Sequence, residues 1–547
     1  MRALLLSIVV LALFSNSAAS QARDKALRVF IFAGQSNMVG SDSIVRDIER
    51  FPPFAGLGEP QKKVRFHYCI GREEKHTSDG WVDLAPVDDV VGPELSFARK
   101  VSANVKAPIA IIKIAAGGTH LGGDWNPDEP SGFELYPLAL RRVREALADL
   151  DSKKVKYRLE GFMWHQGEND MFDDGYKTNY GKNLANFMAC WRRDLEAPEL
   201  RFYVGELCTK TIWGMDLRSP MYAISVGQRA ATDADEFAQY VRNSHIGVEI
   251  GHPVGLHYHY GTLGQLQHGE CYADAYLTNV AALPVKERPL RRWPYKEGSR
   301  VKLFVVAGHR NVEGERAFVD ELATVRGAKS LAKDDPKVAF RYSLGGGYRV
   351  SDGWEPLGPT GFNDTFGPEL SLAKALKKSR PRESIAIAKF THGGSQIIDW
   401  TPSGSEAVTR NLYPSFIAFV QASVDDLVAK GHSVDLAGIF YHLGENDMSW
   451  MPFRRGSAER LGSFVTQSRK DLNAPELPWF VSQQEPTSAE GLDEFDVVAA
   501  VEAVAANDPW LVHFKTFELP GRERPLVLST PGVVALGERW AGAYLAR

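Results

Sequence analysis

The sequence predicts an α/β protein made of two tandem copies of one domain, each with a parallel sheet covered by helices on both faces. Three observations predict it. Six sequence blocks recur in the same order at one long offset, compact β-branched runs alternate with longer amphipathic stretches, and the conspicuous polar motifs begin where the apolar runs end. The last point bears on function, because an open parallel sheet binds ligands outside the carboxyl ends of its strands.

The repeat organises the rest. Residues 32–40 (FAGQSNMVG) return as 306–314 (VAGHRNVEG), 78–81 (SDGW) as 351–354, and 92–96 (GPELS) as 367–371. Residues 113–118 (KIAAGG) return as 389–394 (KFTHGG), 164–171 (WHQGENDM) as 441–448 (YHLGENDM), and 194–200 (DLEAPEL) as 471–477 (DLNAPEL). The offset stays between 273 (351 − 78) and 277 (441 − 164) residues. Solenoid units are roughly 20–50 residues long, so a period of this size means whole domains. The predicted boundaries are 24–282 for the first copy, a Pro-, Arg- and Lys-rich linker at 283–299, and 300–547 for the second copy.

Within the first copy, residues 27–33 and 109–114 are short β-branched runs that read as buried strands, and 162–164 is the tail of another. Residues 94–104 and 136–150 carry apolar positions at helical spacing. Strands separated by helices of this length build a parallel sheet with both faces covered.

The chain of 547 residues is 44% hydrophobic and 24% charged, with a net charge of −4. Such a composition is globular and excludes collagen, coiled coil and disorder. Its near-neutral charge gives no general attraction to nucleic acid or anionic membranes. Residues 1–20 differ from the rest: Arg2, an apolar run at 4–14 and small residues at 17–20 describe a signal peptide cleaved near 19–22. The run is shorter than the ~20 residues that span a bilayer. The expectation is an exported protein, periplasmic or extracellular, that keeps no membrane contact after cleavage. Cys69, Cys190, Cys208 and Cys271 all fall in the first copy and allow three disulfide pairings, or stay as buried free thiols. Their spacing fits no zinc site, and no metal or cofactor is expected.

Ser36 follows the first strand across Gly34 and Gln35. A serine at a strand end, opening a helix, can present both its hydroxyl and its own backbone N–H to a carbonyl carbon, or it can simply cap the helix. Gly117 and Gly118 at the end of the 109–114 strand offer a close backbone approach suited to an oxyanion, or a tight turn. Gln166, at the next strand end, offers an amide donor. A serine nucleophile needs a general base, and His257 and His259 near the end of the first copy both qualify.

Residues 34–38 (GQSNM), 117–119 (GGT) followed by Trp125, and 164–170 (WHQGEND) resemble the sialate O-acetylesterase and family 6 carbohydrate esterase group of the SGNH hydrolases. The resemblance spans the first copy. It implies a flavodoxin-like three-layer α/β/α fold and a metal-independent serine esterase removing O-acetyl groups from carbohydrate. Carried over, Ser36 is the nucleophile, and its N–H, Gly117 and Gln166 form the oxyanion hole. Gln35, Asn37 and Trp125 lie toward substrate. The family's closing block makes His259 the base, with His257 as the alternative.

One part of that block is missing. The family places an Asp three residues before its histidine, whereas Leu256 precedes His259 and Val254 precedes His257 at that spacing. Glu168 and Asp170 are the candidate replacement acids, and a Ser–His dyad is the other option. In the second copy Ser36, Gln166 and His259 correspond to Arg310, Leu443 and Val527, so that copy is expected to be inactive. Asn37, Lys113, Glu168 and Asp170 persist there as Asn311, Lys389, Glu445 and Asp447, which favours structural roles for them. The leading expectation is an exported esterase acting on acetylated xylan or O-acetylated sialic acid. The competing ones are a glycan-binding pseudoenzyme and a lipid or thioester acyl hydrolase on the same fold.

Overall fold

The computed structural model describes residues 26–212, 215–247, 259–280, 288–405, 410–449, 451–486, 496–521 and 527–547. The expected signal peptide and His257 lie outside them. The chain divides into two compact units, whose described residues fall within 26–280 and 288–547.

The first unit contains β1 (Leu27–Gly34), the short helix α1 (Ser36–Val39), β2 (Gln61–Ile70), α2 (Glu94–Asn104), β3 (Ile109–Ala115), α3 (Leu135–Ser152), β4 (Tyr157–His165), α4 (Asp174–Asp194), β5 (Phe202–Gly205), α5 (Arg218–Asp233), β6 (Ala238–Val241) and α6 (Gly261–Val280). Six strands run parallel in the order β2–β3–β1–β4–β5–β6. Two short strands, His76–Thr77 and Val82–Leu84, pair antiparallel with β2. Because β1 sits centrally and the chain crosses over it between β3 and β4, the crevice of the sheet opens at the carboxyl ends of β1, β3 and β4.

Side-chain alternation along the strands builds the layers. Phe30 and Phe32 of β1 point to one face, against Phe97 of α2 and Tyr272 and Tyr276 of α6. Phe162 and Trp164 of β4 point to the other, against Phe187 and Trp191 of α4 and Trp125. Both faces are therefore covered, as the apolar runs predicted. Strand β2 and helices α4 and α5 carry too many polar residues to stand out in the sequence, yet each supplies a buried stripe.

The second unit repeats the plan with β7 (Arg300–Gly308), α7 (Arg310–Glu313), β8 (Asp335–Leu344), α8 (Glu369–Ser379), β9 (Ser384–Thr391), α9 (Tyr413–Ala429), β10 (Ser433–Leu443), α10 (Ser457–Asp471), β11 (Trp479–Gln483), α11 (Val497–Ala506), β12 (Leu511–Lys515) and α12 (Thr530–Ala546). The strand order is again second–third–first–fourth–fifth–sixth. Even the register shift between Val29 and Phe30 on β4 recurs between Leu303 and Phe304 on β10. The predicted linker is too long at its carboxyl side. Tyr295 is buried in the second unit, accepting from the Ala339 N–H at 2.9 Å and donating to the Ile385 carbonyl, and the Trp293 indole donates to His432 at 2.6 Å. Its prolines and basic residues masked those two aromatic anchors. All four cysteines are buried free thiols.

Candidate active site

Gly34 ends β1 at φ +150°, and a Cβ there would stand 2.0 Å from the His165 carbonyl oxygen. Only glycine lets β1 lie this close to β4 while the chain turns. Gln35 is extended, and Ser36 then opens α1, which closes on the left-handed Gly40. Ser36 is half-buried at the crevice. Among the described residues neither its hydroxyl nor its backbone N–H has a hydrogen-bond partner.

Gly117 packs directly against this serine. A Cβ on Gly117 would lie 3.4 Å from the Ser36 Cβ, ordinary van der Waals contact. The preceding carbonyl, of Ala116, accepts from the Thr119 hydroxyl at 2.9 Å, and the trans peptide turns the Gly117 N–H the opposite way. That N–H also has no partner among the described residues. Arg72 fixes the next peptides, donating to the carbonyls of Gly117 at 2.9 Å and Gly118 at 3.0 Å while stacking on Phe133.

Four residues expected to meet substrate are instead framework. Gln166 is fully buried, and its Nε2 is occupied by the Thr119 carbonyl at 2.8 Å, Asp170 at 2.5 Å and Gln35 at 3.1 Å. It follows the end of β4 immediately and so tucks beneath the crevice. Gln35 is buried too, accepting from the Gly167 N–H at 3.2 Å and donating to Asn169 Oδ1 at 3.2 Å. Asn37 is buried between Glu168, to which it donates at 2.5 Å, and the Tyr260 N–H, from which it accepts at 3.2 Å. Trp125 has no exposed surface; its indole donates to Thr119 at 3.0 Å and its ring packs edge-on against Trp164. The amide that remains at the crevice is Asn169. It is half-buried, and its Oδ1 is held by Gln35, which leaves Nδ2 with no partner among the described residues.

Neither candidate acid contacts His259. Glu168 faces Asn37 and, at 3.5 Å, His165. Burial pushes its carboxyl up, but His165 and the Asn37 amide outweigh this and hold it below the usual range. Asp170 accepts from the Leu121 and Gly122 N–H groups at 2.9 and 3.0 Å, and burial pushes it up to about 6. Both are buried and hydrogen-bonded within the network beneath the crevice.

His259 meets a different carboxylate: its Nδ1 lies 2.6 Å from Asp42 Oδ2. Asp42 belongs to the turn just after α1 and holds a left-handed φ of +61°. The turn is tied to α1 by the Gly40 and Ser41 N–H groups, both 3.0 Å from the Ser36 carbonyl oxygen. It is also tied to the start of α6, where the Ile44 N–H donates to the Thr262 hydroxyl at 2.9 Å. The nucleophile loop and the histidine segment thus meet at Asn37–Tyr260, Asp42–His259 and Ile44–Thr262. Asp42, Arg72 and Asn169 are the residues that sequence reasoning passed over.

In the second unit the same positions are closed. Arg310 stands where Ser36 does, and its backbone N–H is capped by Glu445 Oε1 at 3.0 Å. Asn446, in the place of Asn169, spends its Nδ2 on the Gly393 and Ser395 carbonyls at 2.9 and 2.7 Å. Arg316 replaces Asp42 and Val527 replaces His259. The buried arginines are met by Glu315, 3.5 Å from each.

The model of the family described as carbohydrate esterase, sialic acid-specific acetylesterase, matches the chain twice, at residues 26–278 and 300–546. The chain belongs to this family. Its two matches are the two copies, and the second has lost the serine and the histidine. A probable carbohydrate esterase of Arabidopsis thaliana is 25% identical over 265 residues, which are 46% of this chain and 91% of the relative. Among solved structures, a protein from Arabidopsis thaliana is 20% identical with a TM-score of 0.36, covering 46% of this chain and 99% of that one. NanS is 16% identical with a TM-score of 0.36, covering 47% of this chain and 98% of its own. A carbohydrate acetylesterase from Xanthomonas citri is 17% identical with a TM-score of 0.33, covering 44% of this chain and 55% of its own. Among the described residues no cluster of His, Cys, Asp and Glu is arranged to hold a metal, and no helix is long and apolar enough to cross a membrane.

Proposed function

We propose that the first unit of this carbohydrate esterase family member is an O-acetylesterase acting on acetylated xylan or O-acetylated sialic acid through an acetyl-enzyme. The reading is carried by the hydroxyl and N–H of Ser36 beside the N–H of Gly117, all three without a partner among the described residues. His259 Nε2 takes the Ser36 proton as Oγ attacks the acetyl carbonyl carbon. The oxyanion rests on the N–H groups of Ser36 and Gly117 and on Asn169 Nδ2. The imidazolium returns the proton to the departing sugar oxygen, leaving acetyl-Ser36. Water, deprotonated by His259, then attacks this ester, and the imidazolium returns that proton to Oγ as the acyl bond breaks, releasing acetate and free Ser36.

Carbohydrate fits the rim of the crevice. Arg72 and Phe133 stack on one side, and the half-buried rings of His120 and Tyr176 lie 5.6 Å apart on another, a polar and aromatic surface suited to sugar hydroxyls and faces. The reaction in this reading takes place outside the cytoplasm, which is supported by the signal-peptide pattern of residues 1–20. Acetate release from both substrates, measured with wild type and Ser36→Ala, tests the reading. The expected loss is about 10⁴-fold or more. Undiminished release by Ser36→Ala contradicts it, and activity that rises with acyl length reassigns the protein to lipid or thioester substrates. N-terminal sequencing of the exported chain is expected to begin near residues 20–23; an intact Met1 on that chain overturns the export assignment.

A further inference from the structure

We infer that Asp42, on the turn that follows the nucleophile, is the positioning acid of the Ser36–His259 pair, in place of the missing aspartate three residues before the histidine. The inference rests on the reading of Ser36 and His259 above. Its first support is contact geometry. At 2.6 Å, Asp42 Oδ2 accepts the Nδ1–H of His259, which selects the tautomer whose Nε2 lone pair takes the serine proton.

The second support is preorganisation. A carboxylate on a loose turn could not hold an imidazole, but this turn is fixed on every side. Ser43 donates to the Gly40 carbonyl at 2.5 Å and accepts from the Val91 N–H at 2.7 Å. Ser41 N–H bonds the Ser36 carbonyl at 3.0 Å, and Ile44 bonds Thr262 at 2.9 Å. Aspartate is among the few residues that accept the left-handed conformation of position 42 at small cost.

The third support comes from the duplication and is independent of the contact. The frame around the pair is kept in the second unit. Asn311 accepts from the Leu528 N–H at 2.9 Å as Asn37 does from Tyr260, and the Phe318 N–H donates to Thr530 at 3.0 Å as Ile44 does to Thr262. Within that frame, Ser36, Asp42 and His259 become Arg310, Arg316 and Val527. Glu168 and Asp170, the alternative acids, persist unchanged as Glu445 and Asp447. Asp42 is lost together with the nucleophile and base while the two contacts that flank it are kept, as expected of a residue that belongs with their chemistry.

The test uses the full chain and 4-nitrophenyl acetate, with Asp42→Asn, Asp42→Gly and Ser36→Ala alongside wild type. Asn and Gly both accept the left-handed backbone, so the turn survives, and thermal unfolding checks this. A buried triad acid is worth about 10⁴ in rate, and for this partly exposed one we expect Asp42→Asn to lower kcat about 10²–10³-fold with KM within about threefold. Added formate is expected to restore part of the Asp42→Gly rate by occupying the vacated site, an effect a purely structural role would not produce. Wild-type kcat in Asp42→Asn, or a slowed Asp42→Gly enzyme that formate does not help, overturns the inference while an inactive Ser36→Ala leaves the esterase reading standing. An active Ser36→Ala removes that reading itself.

Discussion

Lys113 and Lys389 occupy the same place in the two units and do the same thing. Each is buried on the third strand of its unit, paired with a glutamate that opens a helix, Glu94 at 2.8 Å and Glu369 at 2.9 Å. Each also donates to the carbonyl at the end of the short helix after the first strand, Val39 at 3.0 Å and Glu313 at 3.4 Å. At the crevices, by contrast, the two units part. One holds Ser36 with open N–H donors; the other holds Arg310 with its N–H capped and its neighbouring amide occupied. The difference teaches that one frame carries either an open or a closed crevice. Even a retained amide changes its use, since Asn169 leaves its Nδ2 open among the described residues whereas Asn446 spends its own on two carbonyls.

The comparison can be broken at several strengths. The largest effect is expected at the paired first positions. Ser36→Ala abolishes acetate release, whereas Arg310→Ala leaves it unchanged, because Arg310 touches no reacting group. Arg310→Ser is expected to gain nothing, since Glu445 still caps the N–H and Val527 still stands in place of the base. Appearance of hydrolysis in a Ser36→Ala, Arg310→Ser double variant would refute the closed-crevice account.

Next come the shared lysines. Burial holds the Lys113 ammonium below its usual value, and Glu94 offsets only part of this. Removing one partner of such a pair costs about 3–5 kcal/mol. Lys113→Met and Lys389→Met are each expected to destabilise by that amount in chemical denaturation, and only Lys113→Met to reduce activity. Equal loss of activity from both would mean the second unit takes part in the reaction.

Asn169 and Gln166 sharpen the account of the oxyanion site. Losing one such donor costs about 10²–10³ in kcat. Asn169→Ala is expected to show that loss at unchanged stability, while Gln166→Ala, which breaks a buried network, is expected to lower the unfolding midpoint. The reverse pattern would restore Gln166 as the donor.

The smallest effect is one of pH. Burial, with the nearby His165 adding, holds His268 well below the ordinary imidazole value, and burial pushes His442 down to about 3. Below about pH 6.5 the unfolded histidines take up protons that the folded ones refuse, so stability falls as the solution is acidified. The expected slope is about 1.4 kcal/mol per pH unit for each histidine, down to its folded value. Denaturation between pH 7.5 and 5 measures it, and His268→Phe should flatten the part that belongs to the first unit. A slope unchanged by that substitution contradicts the assignment.

Much of the frame was legible in the sequence. The β-branched runs at 27–33 and 109–114 are β1 and β3, and 94–104 is helix α2 to the residue, because strongly periodic segments show their period. Ser36 and Gly117 were legible as neighbours because both sit where strands of a parallel sheet end. What residue type and spacing do not carry is the direction a side chain takes. Gln35, Gln166 and Trp125 lie in the right motifs, yet they point beneath the crevice to satisfy one another. Asp42 was illegible for a different reason. Spacing points to acids beside the histidine or at the β4 end, whereas Asp42 meets His259 from a left-handed turn six residues after the nucleophile, next to the start of α6.

The central claim is that all the chemistry of this duplicated chain runs through one serine. Treating the full chain with a fluorophosphonate and mapping the adduct by peptide mass tests it directly. The account predicts one adduct per chain, on Ser36, with residues 300–547 unmodified and labelling lost in Ser36→Ala. A folded chain that takes no label, or one labelled within the second unit, would contradict it.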